Sequence, residues 1–394
     1  MQHDIAILGP CRTAIGKFGG SLANVPAVKL GEIVIRESLK RAGVKPEQVD
    51  EVLFGNVIQA GLGQNPARQA ARNAGLPDEV PASTLNNLCG SGLKTLNMAA
   101  AMINNGDAEI MVVGGMENMS AAPYLLDKAR FGYRMNAGTL KDAMISDGLT
   151  DAFYGYHMGM TAENVAEQFH VSREECDQFS YESQMKAKKA QEEGRFKEEI
   201  VPVHIKERKR EYDFEEDEFP RHETTLEALA KLKPAFKKEG GVITAGNASG
   251  INDAAAAMVV MSVEKAKELG LKPMGILKCG VSVALDPAIM GMGPYFAIKK
   301  LMEKTGEKIE NIELWELNEA FSSQSVAAVR DLGINKELVN VNGGAIALGH
   351  PIGCSGARIL VTLLYEMEKR NLHKGVASLC VGGGMGVASL VERP

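Results

Sequence analysis

Leu85-Asn86-Asn87-Leu88-Cys89-Gly90-Ser91-Gly92 joins two unlike stretches of chain. Before it, Val80-Pro81-Ala82-Ser83-Thr84-Leu85 reads as a strand; after it, Leu93 to Met102 is an apolar run of Leu, Met and Ala in helix-favouring proportion. Cys89 therefore falls at a strand-to-helix turn, where a helix N-terminus presents free N–H groups and partial positive charge. That setting is expected to lower the thiol pKa and to make a thiolate nucleophile available. A cysteine taken alone is more often a small buried hydrophobe. The Cys-Gly-Ser-Gly turn favours the reactive reading.

Outward from this turn the chain alternates. Ile5 to Leu8 is a strand of buried type, Ala27 to Ala42 has helical periodicity and stops at Gly43, and Val49 to Val57 is a second strand. A helix over Pro66 to Ala74 and a strand at Glu109 to Val113 continue the pattern, which implies an α/β sheet covered by helices. Residues 1–116 form the first part of one half. Residues 117–270 lose the alternation and read as an inserted region together with the end of that half. Within it, Arg173 to Glu193 is a helix, and Lys206 to Glu218, dense in both signs of charge, is a solvated hairpin or excursion. Alternation resumes in residues 271–394, and with it a repeat. Ser91-Gly92-Leu93-Lys94-Thr95-Leu96 has a counterpart in Ser355-Gly356-Ala357-Arg358-Ile359-Leu360, and each is followed by a strand ending in glycines and methionine, which suggests duplicated halves.

Composition narrows the function. A chain of 394 residues suggests two or three domains, and 45% hydrophobic with 24% charged residues is typical of a soluble globular protein. The longest apolar runs, such as Ala254 to Met261, fall far short of a membrane span, so no membrane partner is expected. Neither Met1-Gln2-His3-Asp4 nor Val391-Glu392-Arg393-Pro394 reads as an address, which makes a cytoplasmic protein the expectation. A net charge of -6 argues against general nucleic-acid binding. The six cysteines include no Cys-x-x-Cys pair, so neither a zinc site nor a disulfide framework is indicated.

Three further stretches carry chemistry. His350 stands among glycines in Asn342 to Gly356, just before a helix, and is the histidine best placed to act as a base. Cys380 ends a strand and enters the glycine run Gly382-Gly383-Gly384, whose N–H groups can line an anion pocket. A dinucleotide fingerprint fails there, because a strand and not a helix follows. Asn318 and Glu319 close a strand ahead of a helix, where they either face a ligand or cap that helix.

Cys-Gly-Ser-Gly at 89–92, Asn-Glu-Ala-Phe at 318–321, Gly-His-Pro-Ile-Gly at 349–353 and Cys-Val-Gly-Gly-Gly at 380–384 together resemble the four motifs of the thiolase family. The resemblance spans essentially the whole chain, and Tyr156-His157-Met158-Gly159 is most similar to the bacterial biosynthetic branch. It implies two duplicated α/β halves with mixed five-stranded sheets in a layered αβαβα arrangement, an inserted loop domain, and a homotetramer built through a loop of the insertion. The implied reaction is the reversible Claisen condensation of two acetyl-CoA to acetoacetyl-CoA and CoA. Coenzyme A and acetyl-CoA are then substrates, with no tightly bound cofactor and no metal.

By the same resemblance Cys89 attacks the thioester and carries the acetyl group, His350 takes its proton, and Cys380 removes the α-proton of the second acetyl-CoA. Asn318 holds a water near the enolate oxygen, and the N–H groups of Cys89 and Gly382 hold the oxyanion. Ser249, His157, Met158, Leu149, Ala320 and Phe321 surround the pantetheine arm and thioester, and Arg221 meets the adenosine phosphates. The alternatives are a 3-ketoacyl-CoA thiolase for longer chains and, in a different class, a non-catalytic acyl-CoA- or lipid-binding relative. A ketoacyl synthase, which pairs one Cys with two His or a His and Asn, is disfavoured by Cys380. Cys354 stands where the family often has Ala and puts a third thiol near His350 in sequence.

Overall fold

In the computed structural model, which describes residues 3–208 and 210–394, the first apolar run forms β1 (Ile5–Thr13). Helix α1 (Ala27–Ala42) follows and closes at Gly43, whose φ of 70° is left-handed and costs glycine little. Then come β2 (Glu51–Gly55), α2 (Pro66–Asn73), β3 (Ala82–Leu85), α3 (Ser91–Asn105) and β4 (Ile110–Asn118). Every residue of β4 is buried, because helices cover both faces of its sheet, and its sequence is accordingly apolar without alternation.

The chain leaves the sheet after β4. It builds α4 (Met158–Gln168), α5 (Arg173–Glu192) and a hairpin pairing Val203–Lys206 with Glu211–Phe214, and then returns as β5 (Asn252–Ser262). The return strand is central, lying between β1 and β4. A buried guanidinium pins the excursion to the sheet. Arg12 of β1 donates from Nε to Glu199 at 2.6 Å and from Nη1 and Nη2 to Asp217 at 2.7 and 2.9 Å. Such a group orients the excursion more than it stabilises the fold, since desolvation offsets much of the attraction.

The second half runs β6 (Gly275–Ala284), α6 (Gly293–Thr305), β7 (Leu314–Leu317), α7 (Ser322–Leu332), α8 (Ile352–Arg370), β8 (Lys374–Val381) and β9 (Met385–Glu392). Strand order is β1-β5-β4-β2-β3 in the first half and β6-β9-β8-β7 in the second. Val339 makes a single parallel bridge to Trp315 of β7, at the place β3 occupies beside β2. Both halves thus follow one order: first strand, last, penultimate, second, third. The fifth position of the second half is one bridge and not a full strand. The sheets are also joined edge to edge, through Ile5–Leu277, Ala6–Ile276 and Ile7–Gly275 of β1 and β6.

Helices α3 and α8 pack on each other and on strands of both halves, forming the middle layer. The repeated Ser-Gly explains how closely they cross. A Cβ on Gly92 would lie 2.6 Å from the Ala357 nitrogen, and one on Gly356 would lie 2.3 Å from the Leu93 nitrogen. The two backbones touch where glycine omits a side chain, and a methyl group there has only rigid main chain to displace. Gly356→Ala should therefore lower the unfolding free energy by about 3 kcal/mol, measured by urea denaturation with an unchanged m-value.

Candidate active site

The crossing sets the N-terminal ends of α3 and α8 side by side. Cys89 lies in the single turn Leu88–Gly90 that leads into α3. Leu88 just before it has φ 47°, a left-handed conformation that a bulky side chain adopts only at a cost of about 1–3 kcal/mol. Ser91 holds the turn in that shape: its Oγ accepts from the Asn87 N–H at 2.9 Å and donates to the Leu88 carbonyl at 2.7 Å. Asn86 Oδ1 accepts from the Leu88 N–H at 3.0 Å.

His350 occupies the corresponding end of α8 and is buried. Its N–H donates to Asn252 Oδ1 at 3.0 Å, and the backbone passes so close that a Cβ on Gly349 (φ 110°) would lie 2.4 Å from Asn252 Cγ. The ring Nδ1 lies 2.6 Å from Ser355 Oγ, which in turn donates to the Pro351 carbonyl at 2.9 Å. Asn318 Nδ2 reaches both ring nitrogens at 3.5 Å, the outer limit of hydrogen bonding. Neither Asn318 nor Glu319 caps α7. Glu319 is buried instead, accepting from Ser183 Oγ at 2.7 Å and Asn340 Nδ2 at 2.8 Å.

Cys380, wholly buried at the end of β8, lies close enough to Cys89 that a charge on one opposes ionisation of the other. Gly382 follows it. Its N–H and that of Cys89 favour the ionised form of the Cys89 sulfur, and a Cβ on Gly382 would lie 2.8 Å from Leu88 Cδ1. Met158, Ala320 and Phe321 share an apolar cluster with Cys380. Leu149 packs with Cys89 against Met119, Met144 and Ile352. Ser249 is tied to this wall by its N–H, which donates to the Ala320 carbonyl at 3.0 Å. His157 caps α4, its Nδ1 accepting from the Gly159 N–H at 3.0 Å, and stacks on Phe236 at 4.7 Å between ring centroids. Arg221 stands further out, over the Phe219 ring, on a cavity of about 380 Å³ that Ala248 and Ile346 border on the inner side. A cavity of about 710 Å³ beside Asn97 and Lys278 contains none of these residues.

The electrostatics reverse one expectation. The Cys89 thiol is not lowered by its place before a helix. Burial pushes it up to about 11, and the charge of Glu117 adds to this, while the N–H groups of Gly382 and Cys89 pull the other way and lose. Burial likewise holds Cys380 well above the usual thiol range. For His350, burial first and the charge of Arg358 second lower the pKa to about 3, so the ring is neutral at rest. Cys354 is entirely buried with its pKa pushed up to about 12, so it is core filler and not a third accessible thiol.

Four contributors lay outside the sequence reading. Ser355 was visible only as a repeat and Ser91 only as part of the Cys-Gly-Ser-Gly turn and that repeat, with no role of its own, and Phe236 and Glu117 carried no local signal for a role. Glu117 accepts from the N–H groups of Val57 and Gly353 at 3.0 and 2.9 Å and from Asn56 Nδ2 at 2.8 Å, fastening the loop after β2 to the start of α8.

Comparison with known proteins agrees with this arrangement. A family model described as the thiolase N-terminal domain matches residues 5–264, and one described as the thiolase C-terminal domain matches residues 271–393. The chain is 58% identical to an acetyl-CoA acetyltransferase of Syntrophomonas wolfei, covering 100% of both. It is 56% identical to the protein of that name from Cupriavidus necator, covering 99% of each. The crystal structure of the Bacillus anthracis acetyl-CoA acetyltransferase superimposes with a TM-score of 0.98 at 47% identity, over 100% of this chain and 99% of that one.

A neutral buried His350 has a consequence for stability. Its pKa is about 3 in the folded chain against 6.5 ordinarily, so below pH 6.5 the unfolded chain takes up a proton that the folded one does not. This contribution to stability is complete above that pH and is lost as pH falls toward 3. Relative to His350→Gln, the native chain should lose about 2 kcal/mol between about pH 7.5 and about pH 5, read from paired urea denaturations.

Proposed function

The chain belongs to the thiolase family, and on that premise we propose that it is an acyltransferase joining two acetyl-CoA into acetoacetyl-CoA and CoA, reversibly, through an acetyl thioester on Cys89. The observation that supports this reading is the close approach of Cys380 to Cys89, where the N–H groups of Gly382 and Cys89 favour charge on the sulfur, with His350 just ahead of the helix whose Ile352 shares an apolar cluster with Cys89. The names of the relatives agree with it.

A thiol held near 11 and a neutral imidazole are a resting pair. As the Cys89 sulfur attacks the acetyl-CoA carbonyl, its proton passes to His350. The N–H groups of Cys89 and Gly382, which favour negative charge beside the sulfur, take the oxyanion. Collapse expels CoA, which leaves with the proton from His350. Cys89 is then a thioester that cannot ionise, so it no longer competes with Cys380 for the one negative charge the pair can hold. Cys380 can now ionise, its proton resting on His350, and its thiolate takes the α-proton of a second acetyl-CoA. The resulting carbanion attacks the acetyl carbon and releases Cys89, which recovers the proton from His350. The order of events follows because the pair can hold only one thiolate: once Cys89 is acylated, that charge falls to Cys380.

Coenzyme A would lie along Ser249 and the wall of Met158, Ala320 and Phe321, with its phosphates toward Arg221 and the cavity beside it. A homotetramer in the cytoplasm fits the loop after β4, where Phe131 and Met135 are 87% and 85% exposed in a single chain.

Side-by-side thiolysis of acetoacetyl-CoA and a medium-chain 3-ketoacyl-CoA tests the substrate. Activity on acetoacetyl-CoA alone is expected, and equal or faster cleavage of the longer substrate would transfer the chain to a degradative role. Cys89→Ala should abolish thiolysis, by at least about 10⁴-fold. Cys380→Ala incubated with acetyl-CoA should accumulate acetylated Cys89, detected by peptide mass mapping, because it can load the acetyl group but cannot generate the carbanion.

A further inference from the structure

We propose that Ser355 is the positioning residue that fixes the tautomer of His350, its hydroxyl holding the ring's Nδ1–H so that Nε2 is left free to take a proton. The catalytic consequence rests on the reading of His350 as the base; the tautomer does not.

The hydroxyl lies between two groups. Ser355 Oγ is 2.6 Å from His350 Nδ1 and 2.9 Å from the Pro351 carbonyl oxygen. A hydroxyl has one proton to give, and a carbonyl can only accept. With that proton on Pro351, the short contact to the ring is made by an N–H on Nδ1. A neutral imidazole has only one such proton, so Nε2 is bare. Both residues are buried, and at Nδ1 the hydroxyl at 2.6 Å is far closer than Asn318 Nδ2 at 3.5 Å, an amide donor that cannot accept the ring's proton.

The duplicated half shows the same device where the proton positions are beyond doubt. Ser91 stands at the matching place in the repeat. Its Oγ accepts from a backbone N–H, that of Asn87, and donates to a carbonyl three residues back, that of Leu88. An amide N–H can only donate, so the direction of both bonds is fixed there. Ser355 repeats the pattern with an imidazole N–H in place of the amide and a carbonyl four residues back. One serine of the ancestral unit thus shapes the nucleophile's turn in the first half and orients the base in the second. A ring tethered in this way by a neighbouring acceptor keeps its proton on Nδ1 and leaves Nε2 as the basic nitrogen.

Neutron diffraction from deuterium-exchanged crystals of the unaltered chain tests this directly. A deuteron on Nδ1 of His350, with that of Ser355 directed at the Pro351 carbonyl, is expected. A deuteron on Nε2, with that of Ser355 directed at the ring, overturns the proposal whatever the activity. In kinetics, Ser355→Ala should reduce kcat for acetoacetyl-CoA thiolysis about 10- to 100-fold with KM little changed, and Ser355→Thr, which keeps the hydroxyl, should recover most of the loss. In variants whose Tm is unchanged, an unaltered kcat for Ser355→Ala, or an equal loss in both variants, overturns it. If the native chain shows no thiolysis at all, the proposed activity fails and the deuteron positions alone decide the tautomer.

Discussion

Two helices in van der Waals contact through their main chains leave almost no freedom in what surrounds them. Where α3 meets α8 at Gly92 and Gly356, the distance between the halves is set by peptide atoms and not by adaptable side chains. Each helix begins with the loop that bears a reacting group, so the separation of Cys89 from His350 inherits that rigidity. Cys380 reaches the same place from β8, whose neighbours in the sheet are fixed by ladder hydrogen bonds on both sides. Three loops that are far apart in sequence are thereby referred to one common frame.

The frame also keeps the site dry, and dryness governs its chemistry. Cys380 is wholly buried and Cys89 half-buried against apolar side chains, and burial leaves both thiols and His350 uncharged at rest. This reverses the simple expectation that a helix N-terminus yields a ready thiolate. A few N–H groups cannot match the loss of bulk water around a sulfur. What they can do is favour negative charge on an atom that is only transiently charged, which is the more useful property in a catalyst. Strain at Leu88 belongs to the same economy, since the turn that exposes the sulfur is stabilised by Ser91 and by contacts with the other half.

Much of this was legible from residues alone. The Ser-Gly repeat announced the duplication; that the same glycines let two helices cross emerged only from the fold. The reacting residues stood out because each lies where a regular element gives way to glycines. Other features depended on distant partners. Phe236 has no local signature, and it matters because the chain folds back to lay its ring on His157. The ionisation of Cys89 depends on Met119, Leu149 and Ile352, which come from three separate stretches. The strand at Val339 is a single bridge, too short for any periodicity to mark.

The seam between β1 and β6 is only three residue pairs long, yet it makes nine strands into one uninterrupted ladder. Many enzymes clear water from a reaction by swinging one lobe onto another about a flexible connection. A sheet that runs without a break from one half to the other has no such joint. This scaffold must hold its hollow ready-made, and a slender substrate must thread into it from the rim rather than be clasped.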